Sequence, residues 1–114
     1  MRTFLVVGLF ALVGCGDSGS DTGGTDAGPS REEVILGLTG DAVNGKTLYD
    51  GTCSVCHGAT GGGGTGPALS SATPADLLVD NVVNGVGTMI AYGDTYTDQE
   101  IADILAYVQT DFAL

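Results

Sequence analysis

Cys53-Ser54-Val55-Cys56-His57 sets two thiols and an imidazole within five residues. Thiols add to vinyl groups to give thioethers. Two intervening residues let both sulfurs reach the edge of a porphyrin that carries two vinyls. The next residue, His57, is then aimed at the iron from one side. C-x-x-C-H is the attachment signal for covalent haem, and an imidazole so placed is a proximal iron ligand. Three rival chemistries use similar residues. A disulfide between Cys53 and Cys56 suits an oxidising compartment but does not explain His57. A thioredoxin-like redox pair belongs beside a βαβ pattern, and no such alternation follows. Zinc needs four ligands, and after Cys15 no Cys or His remains beyond these three.

The second axial ligand follows by elimination. His57 is the only histidine, and Met89 is the only methionine after Met1. Met/His ligation raises the reduction potential of a haem. The 32 residues from His57 to Met89 let the chain pass the haem edge and return on its other face. A lone Met also serves as a flexible core filler, but a haem in so small a domain favours ligation. Iron held on both sides has no vacant position, which argues against oxygen activation and for outer-sphere electron transfer. No second constellation competes, since there is no other His to build a Ser-His-acid set.

Helices must position these groups. The clearest begins at Thr97-Asp98-Gln99-Glu100, a capping box, and carries Ile101, Ile104, Leu105, Val108 and Phe112 at helical spacing. A middle helix is predicted to start at Thr73 with Pro74 in its first turn. Leu77, Leu78, Val82 and Val83 give it an apolar face, and Asn84-Gly85 gives the stop. A first helix is predicted from about Asp41 to Gly51. Gly45 inside it costs roughly 1 kcal/mol relative to Ala, which a close helix crossing would justify. Gly45 and Tyr49 are expected to meet Ile104 and Tyr107. Val34–Leu38 is a short apolar run that packs on the haem edge or joins the first helix. Ser30 and Glu33 have capping-box spacing for a brief helix there, and the sequence does not separate these options. Gly61–Gly64 is predicted to be a mobile surface connection, because no Lys-Ser/Thr pair follows to make it a phosphate cradle. The acids Asp94, Asp98, Glu100 and Asp103 read as a solvated capping face.

Residues 39–112 resemble the class I c-type cytochromes. Gly45-Lys46-Thr47-Leu48-Tyr49 is similar to that family's N-terminal helix, with its Gly and aromatic four residues apart. Gly66-Pro67 is similar to its Gly-Pro after the haem motif, Asn84–Met89 to its methionine loop, and Ile104–Val108 to its C-terminal helix. The resemblance implies an all-α cytochrome c fold of three or more short helices around one covalent haem c. It also implies that the Pro67 carbonyl accepts a hydrogen bond from His57. One departure is Ile90, where the family often has Pro after the ligand Met; it predicts a less rigid loop.

The remaining sequence concerns location. Met1-Arg2-Thr3 and the apolar run Phe4–Val13 form a secretory signal too short to span a bilayer. Leu12-Val13-Gly14-Cys15 resembles the lipobox of bacterial lipoproteins, which implies cleavage after residue 14 and acylation of Cys15. Each buried acyl methylene adds roughly 0.8 kcal/mol to membrane binding. Residues 15–30 then form a Gly/Ser/Asp linker that buries nothing and spans roughly 20 Å as a flexible coil. The folded part is 31–114. It has five aromatics and no Trp, and chains this small usually need a staple such as a cofactor. The chain carries 14 acids against three bases, a net charge of −11, and removal of Arg2 leaves only Arg31 and Lys46. Such a field repels nucleic acid and favours basic or neutral partners.

These readings converge on a membrane-tethered single-electron carrier, not an enzyme. It is expected on the periplasmic side of a bacterial cell envelope, exchanging electrons with redox partner proteins. Two alternatives differ in class: a haem c subunit of a larger oxidoreductase, and a gas-responsive or peroxidatic haem protein in which Met89 is labile. Val55, Ala59, Ile90 and Ala91 are the candidates for an exposed haem edge.

Overall fold

A computed structural model describes residues 28–112. The predicted leader (1–14), Cys15 and most of the linker lie outside the described residues. The chain forms α1 (Arg31–Leu36), α2 (Ala42–Leu48), a π-helical turn (Tyr49–Cys53), α3 (Ser54–His57), α4 (Ala75–Asn84) and α5 (Asp98–Asp111). Among the described residues, extended pairing is confined to one bridge between Val86 and Met89. The all-α expectation holds. No helix among the described residues is long and apolar enough to cross a membrane.

α5 is the central element. Thr97 and Glu100 form the reciprocal cap expected of them: the Thr97 hydroxyl accepts from the Glu100 amide at 3.2 Å, and the Glu100 carboxylate accepts from the Thr97 amide at 3.1 Å. Ile101, Ile104, Leu105, Val108 and Phe112 are all buried, as their spacing predicts, and Tyr107 joins them. α2 crosses α5 at Gly45. A Cβ there would stand 1.9 Å from the Asp103 carbonyl oxygen, so only glycine admits this approach. One turn on, Tyr49 is fully buried between Tyr107 and Phe112, with ring centroids 5.3 and 5.1 Å away. Burial of a large apolar side chain contributes roughly 1.5–3 kcal/mol, which exceeds the helical cost of Gly45.

Several expectations are corrected. The first helix does not stop at Gly51. Leu48, Tyr49, Cys53 and Ser54 all keep helical dihedrals, so the chain winds on through a π-helical turn to His57. Such turns recur at functional sites, and this one delivers the Cys53–His57 motif. α4 starts one residue late: Pro74 occupies the cap position in an extended conformation and Thr73 caps nothing. Its buried face is Leu78, Val79 and Val83, while Leu77 is half exposed.

The acids near α5 are not all solvated. Asp103 is buried and accepts hydrogen bonds from the Asp41 amide (2.7 Å), Asn44 (2.7 Å) and Gln99 (2.8 Å). Asp98 pairs with Arg31 at 2.7 Å. The glycine run is not a free loop either. Gly61 is buried against the Phe112 ring, Gly63 donates to the His57 carbonyl and Leu69 donates to Gly61. The bond from Gly63 answers an orphan carbonyl at the end of α3.

The Val34–Leu38 alternatives are resolved in favour of a separate helix. Both hydrogen bonds of the Ser30–Glu33 capping box form, and Ile35 is 1% exposed in the common core. α1 packs on α4 and α5.

Candidate functional site

Cys53, Cys56, His57, Pro67 and Met89 line one cavity of about 420 Å³, within the range of small-molecule and cofactor pockets. Sequence positions 32 apart are thus brought onto a common space. α3 and the π-helical turn deliver the thiols and the imidazole. Ile104, Leu105 and Val108 of α5 and Leu78 and Val82 of α4 supply apolar wall. No charged side chain lines it.

His57 is buried and its Nδ1 lies 2.8 Å from the Pro67 carbonyl oxygen. A carbonyl only accepts, so Nδ1–H donates and the lone pair sits on Nε2. This is the tautomer an iron ligand requires, and the bond also fixes the ring plane. Gly66 packs flat on the ring: a Cβ there would stand 2.9 Å from His57 Cε1 and 3.0 Å from Nδ1. The Gly66 amide donates to the Cys56 carbonyl at 2.8 Å, which ties this clamp back to the end of α3.

Cys53 and Cys56 are unpaired thiols, Cys53 partly buried and Cys56 exposed. Burial pushes the Cys53 thiol up to about 11, with the neighbouring Cys56 thiol adding to the rise. A thioredoxin-like nucleophile needs a thiol shifted the other way. Among the described residues no three His, Cys, Asp or Glu side chains converge as they would around a metal ion. Two thiols and an oriented imidazole on one apolar cavity do fit a porphyrin attached through its vinyls.

Met89 enters from the loop after α4. Gly85 ends α4 with φ +76°, and a Cβ there would stand 2.7 Å from the Met89 carbonyl oxygen, so the position needs glycine twice over. The Val86 and Met89 backbones then exchange hydrogen bonds across Gly87-Thr88. Tyr92 and Gly93 donate to the Val82 and Val83 carbonyls, closing the loop back on α4. The loop therefore has backbone restraint without a proline at Ile90.

Ile90 is 66% exposed and still lines the cavity, and Val55 is 78% exposed. Ala59 and Ala91 are exposed as well, but of these four only Ile90 borders the cavity. Val86, 52% exposed, also reaches the cavity and was not foreseen. Asn81, Thr52 and Tyr92 are further wall residues that the sequence reading missed. For Asn81 a signal existed: with Leu78 and Val82 it falls at i, i+3 and i+4 on one face of α4. Thr52 had none, since its hydroxyl meets the Tyr96 hydroxyl at 2.6 Å across 44 residues.

Residues 40–108 match the family model described as cytochrome C oxidase, cbb3-type, subunit III. The chain is 33% identical over 79 residues to a cytochrome c-553-like protein of Synechocystis, covering 67% of this chain and 74% of that one. Among solved structures, cytochrome c6 of the diatom Phaeodactylum tricornutum superposes with a TM-score of 0.54 at 28% identity, over 61% of this chain and 92% of that one. Cytochrome cL of Hyphomicrobium denitrificans gives a TM-score of 0.55 at 25% identity over 60% of this chain, which spans only 45% of that protein.

Proposed function

From the premise that this chain belongs to the cytochrome c family and carries one covalent haem c, we propose that it is a membrane-tethered single-electron carrier with His57 and Met89 as axial ligands. The haem, when bound, supplies a one-electron couple at iron. What the chain contributes is attachment through Cys53 and Cys56, orientation of His57 by Pro67 and Gly66, and a largely apolar wall. The observation that carries the reading is that His57 and Met89, 32 residues apart in the sequence, border the same largely apolar space. A ligand on each side leaves no position for substrate at the metal. Exposed Ile90 and Val86 bring that wall to the surface, which suits electron exchange by contact. The lipobox and linker support a tether at Cys15, on the periplasmic side of a cell-envelope membrane.

The deciding experiment is Met89→Ala in the exported holoprotein. The potential falls by about 59 mV for each tenfold preference of the thioether for ferrous iron. An unchanged potential would show that Met89 is not the ligand. Mass analysis of the detergent-extracted chain tests the tether: an acylated Cys15 at the N-terminus is expected, and an unmodified one overturns it.

The matched family model, described as an oxidase subunit, favours one second reading: a haem c subunit working by fixed contact. A stable complex surviving mild detergent extraction would favour that reading over a diffusing carrier.

A further inference from the structure

We propose that α1 is a brace for the loop that carries Met89, with Arg31 and Glu32 as positioning residues at the loop's two ends. The loop leaves α4 at Asn84 and re-enters helix at Thr97. Glu32 accepts a hydrogen bond from Asn84 Nδ2 at 2.9 Å, at the entrance. Arg31 reaches the exit: Nε donates to Asp98 at 2.7 Å and Nη2 to the Tyr96 carbonyl at 3.3 Å. Its Nη1 lies 2.9 Å from where a Cβ of Gly93 would stand, so the guanidinium packs on the loop backbone itself.

Two adjacent residues of a six-residue helix thus hold both ends of one loop. The helix is able to do this because Ile35 is sunk in the core and the Ser30–Glu33 box fixes its start. α1 precedes residue 40, where the family match begins. Tyr96 extends the connection through its hydroxyl to Thr52, next to Cys53.

The consequence at iron rests on the assignment of Met89 as sixth ligand; the bracing itself does not. Half-exposed ion pairs add little to global stability, whereas local opening of a loop depends on few contacts. The test therefore compares the holoprotein with its Arg31→Gln/Glu32→Ala variant. Amide hydrogen exchange over Gly85–Tyr96 and the rate at which imidazole binds the ferric form are measured. Both are expected to rise about tenfold, while exchange within Ile101–Val108 stays at the parent rate, and Arg31→Lys alone stays nearer to the parent. Loop exchange that is unchanged, or raised equally in α5, overturns the brace. Faster loop exchange with unaltered imidazole binding upholds the brace and counts instead against Met89 as the ligand.

Discussion

His57 depends on two residues that offer it no chemistry of their own. The Pro67 carbonyl fixes its tautomer, and Gly66 leaves the space in which its ring lies. Gly66→Ala places a methyl inside van der Waals contact of Cε1 and Nδ1, so the ring or the loop must shift. Overpacking of this kind costs typically 1–3 kcal/mol. Thermal unfolding of the holoprotein should show that loss, together with an altered ferric spectrum as the imidazole turns. A variant with the parent midpoint and spectrum would mean that the loop yields without disturbing His57. Tyr49 is constrained in a related way. Burial pushes its phenol up to about 12, so it remains protonated and donates to the Gly58 carbonyl at 2.7 Å.

At the scale of elements, the crossing of α2 and α5 rests on Gly45 and on Asp103. Desolvation raises the Asp103 pKa as the largest single influence. The Asp41 amide, Asn44 and Gln99 together outweigh it and hold the carboxyl below its ordinary value. A group whose folded pKa is depressed adds stability above its unfolded pKa, about 3.9 for Asp. That stability is lost as pH falls through the folded value. Asp103→Asn should therefore destabilise by roughly 1.5–3 kcal/mol at neutral pH, the worth of hydrogen bonds to a charged group. The gap between parent and variant should close as the pH is lowered below about 4. Denaturant unfolding at a series of pH values reads this directly; a gap independent of pH would mean that the carboxylate charge is not what binds α2 to α5.

Across the whole molecule, charge and apolar surface are separated. Among the described residues both cations are paired, Arg31 with Asp98 and Lys46 with Asp50, and neither lines the cavity. The remaining acids give a net negative field around a mouth bordered by Val86 and Ile90. Steering by net charge acts over a Debye length, about 8 Å at physiological salt, whereas apolar contact at the mouth is salt-independent. Reduction of a small cationic oxidant should slow as salt rises, and reduction of an anionic one should quicken. Stopped-flow traces that show no salt dependence for either reagent would mean that the field does not reach the cavity.

The sequence by itself determined the chemistry. Cys53, Cys56 and His57 fall within five residues, so their spacing is a covalent fact that no folding alters, and elimination left Met89 as the candidate second ligand. It also determined α5, since capping and 3.6-residue periodicity are local. Only the tertiary structure decided that Asp103 is buried, that the glycine run is tied to α3, and that α1 spans the ends of the methionine loop. Each of these joins residues far apart along the chain, or turns on which face a neighbouring helix happens to cover. Periodicity marks which residues are apolar, but hydrogen bonds such as Glu32 to Asn84 exist only once distant segments have been packed together.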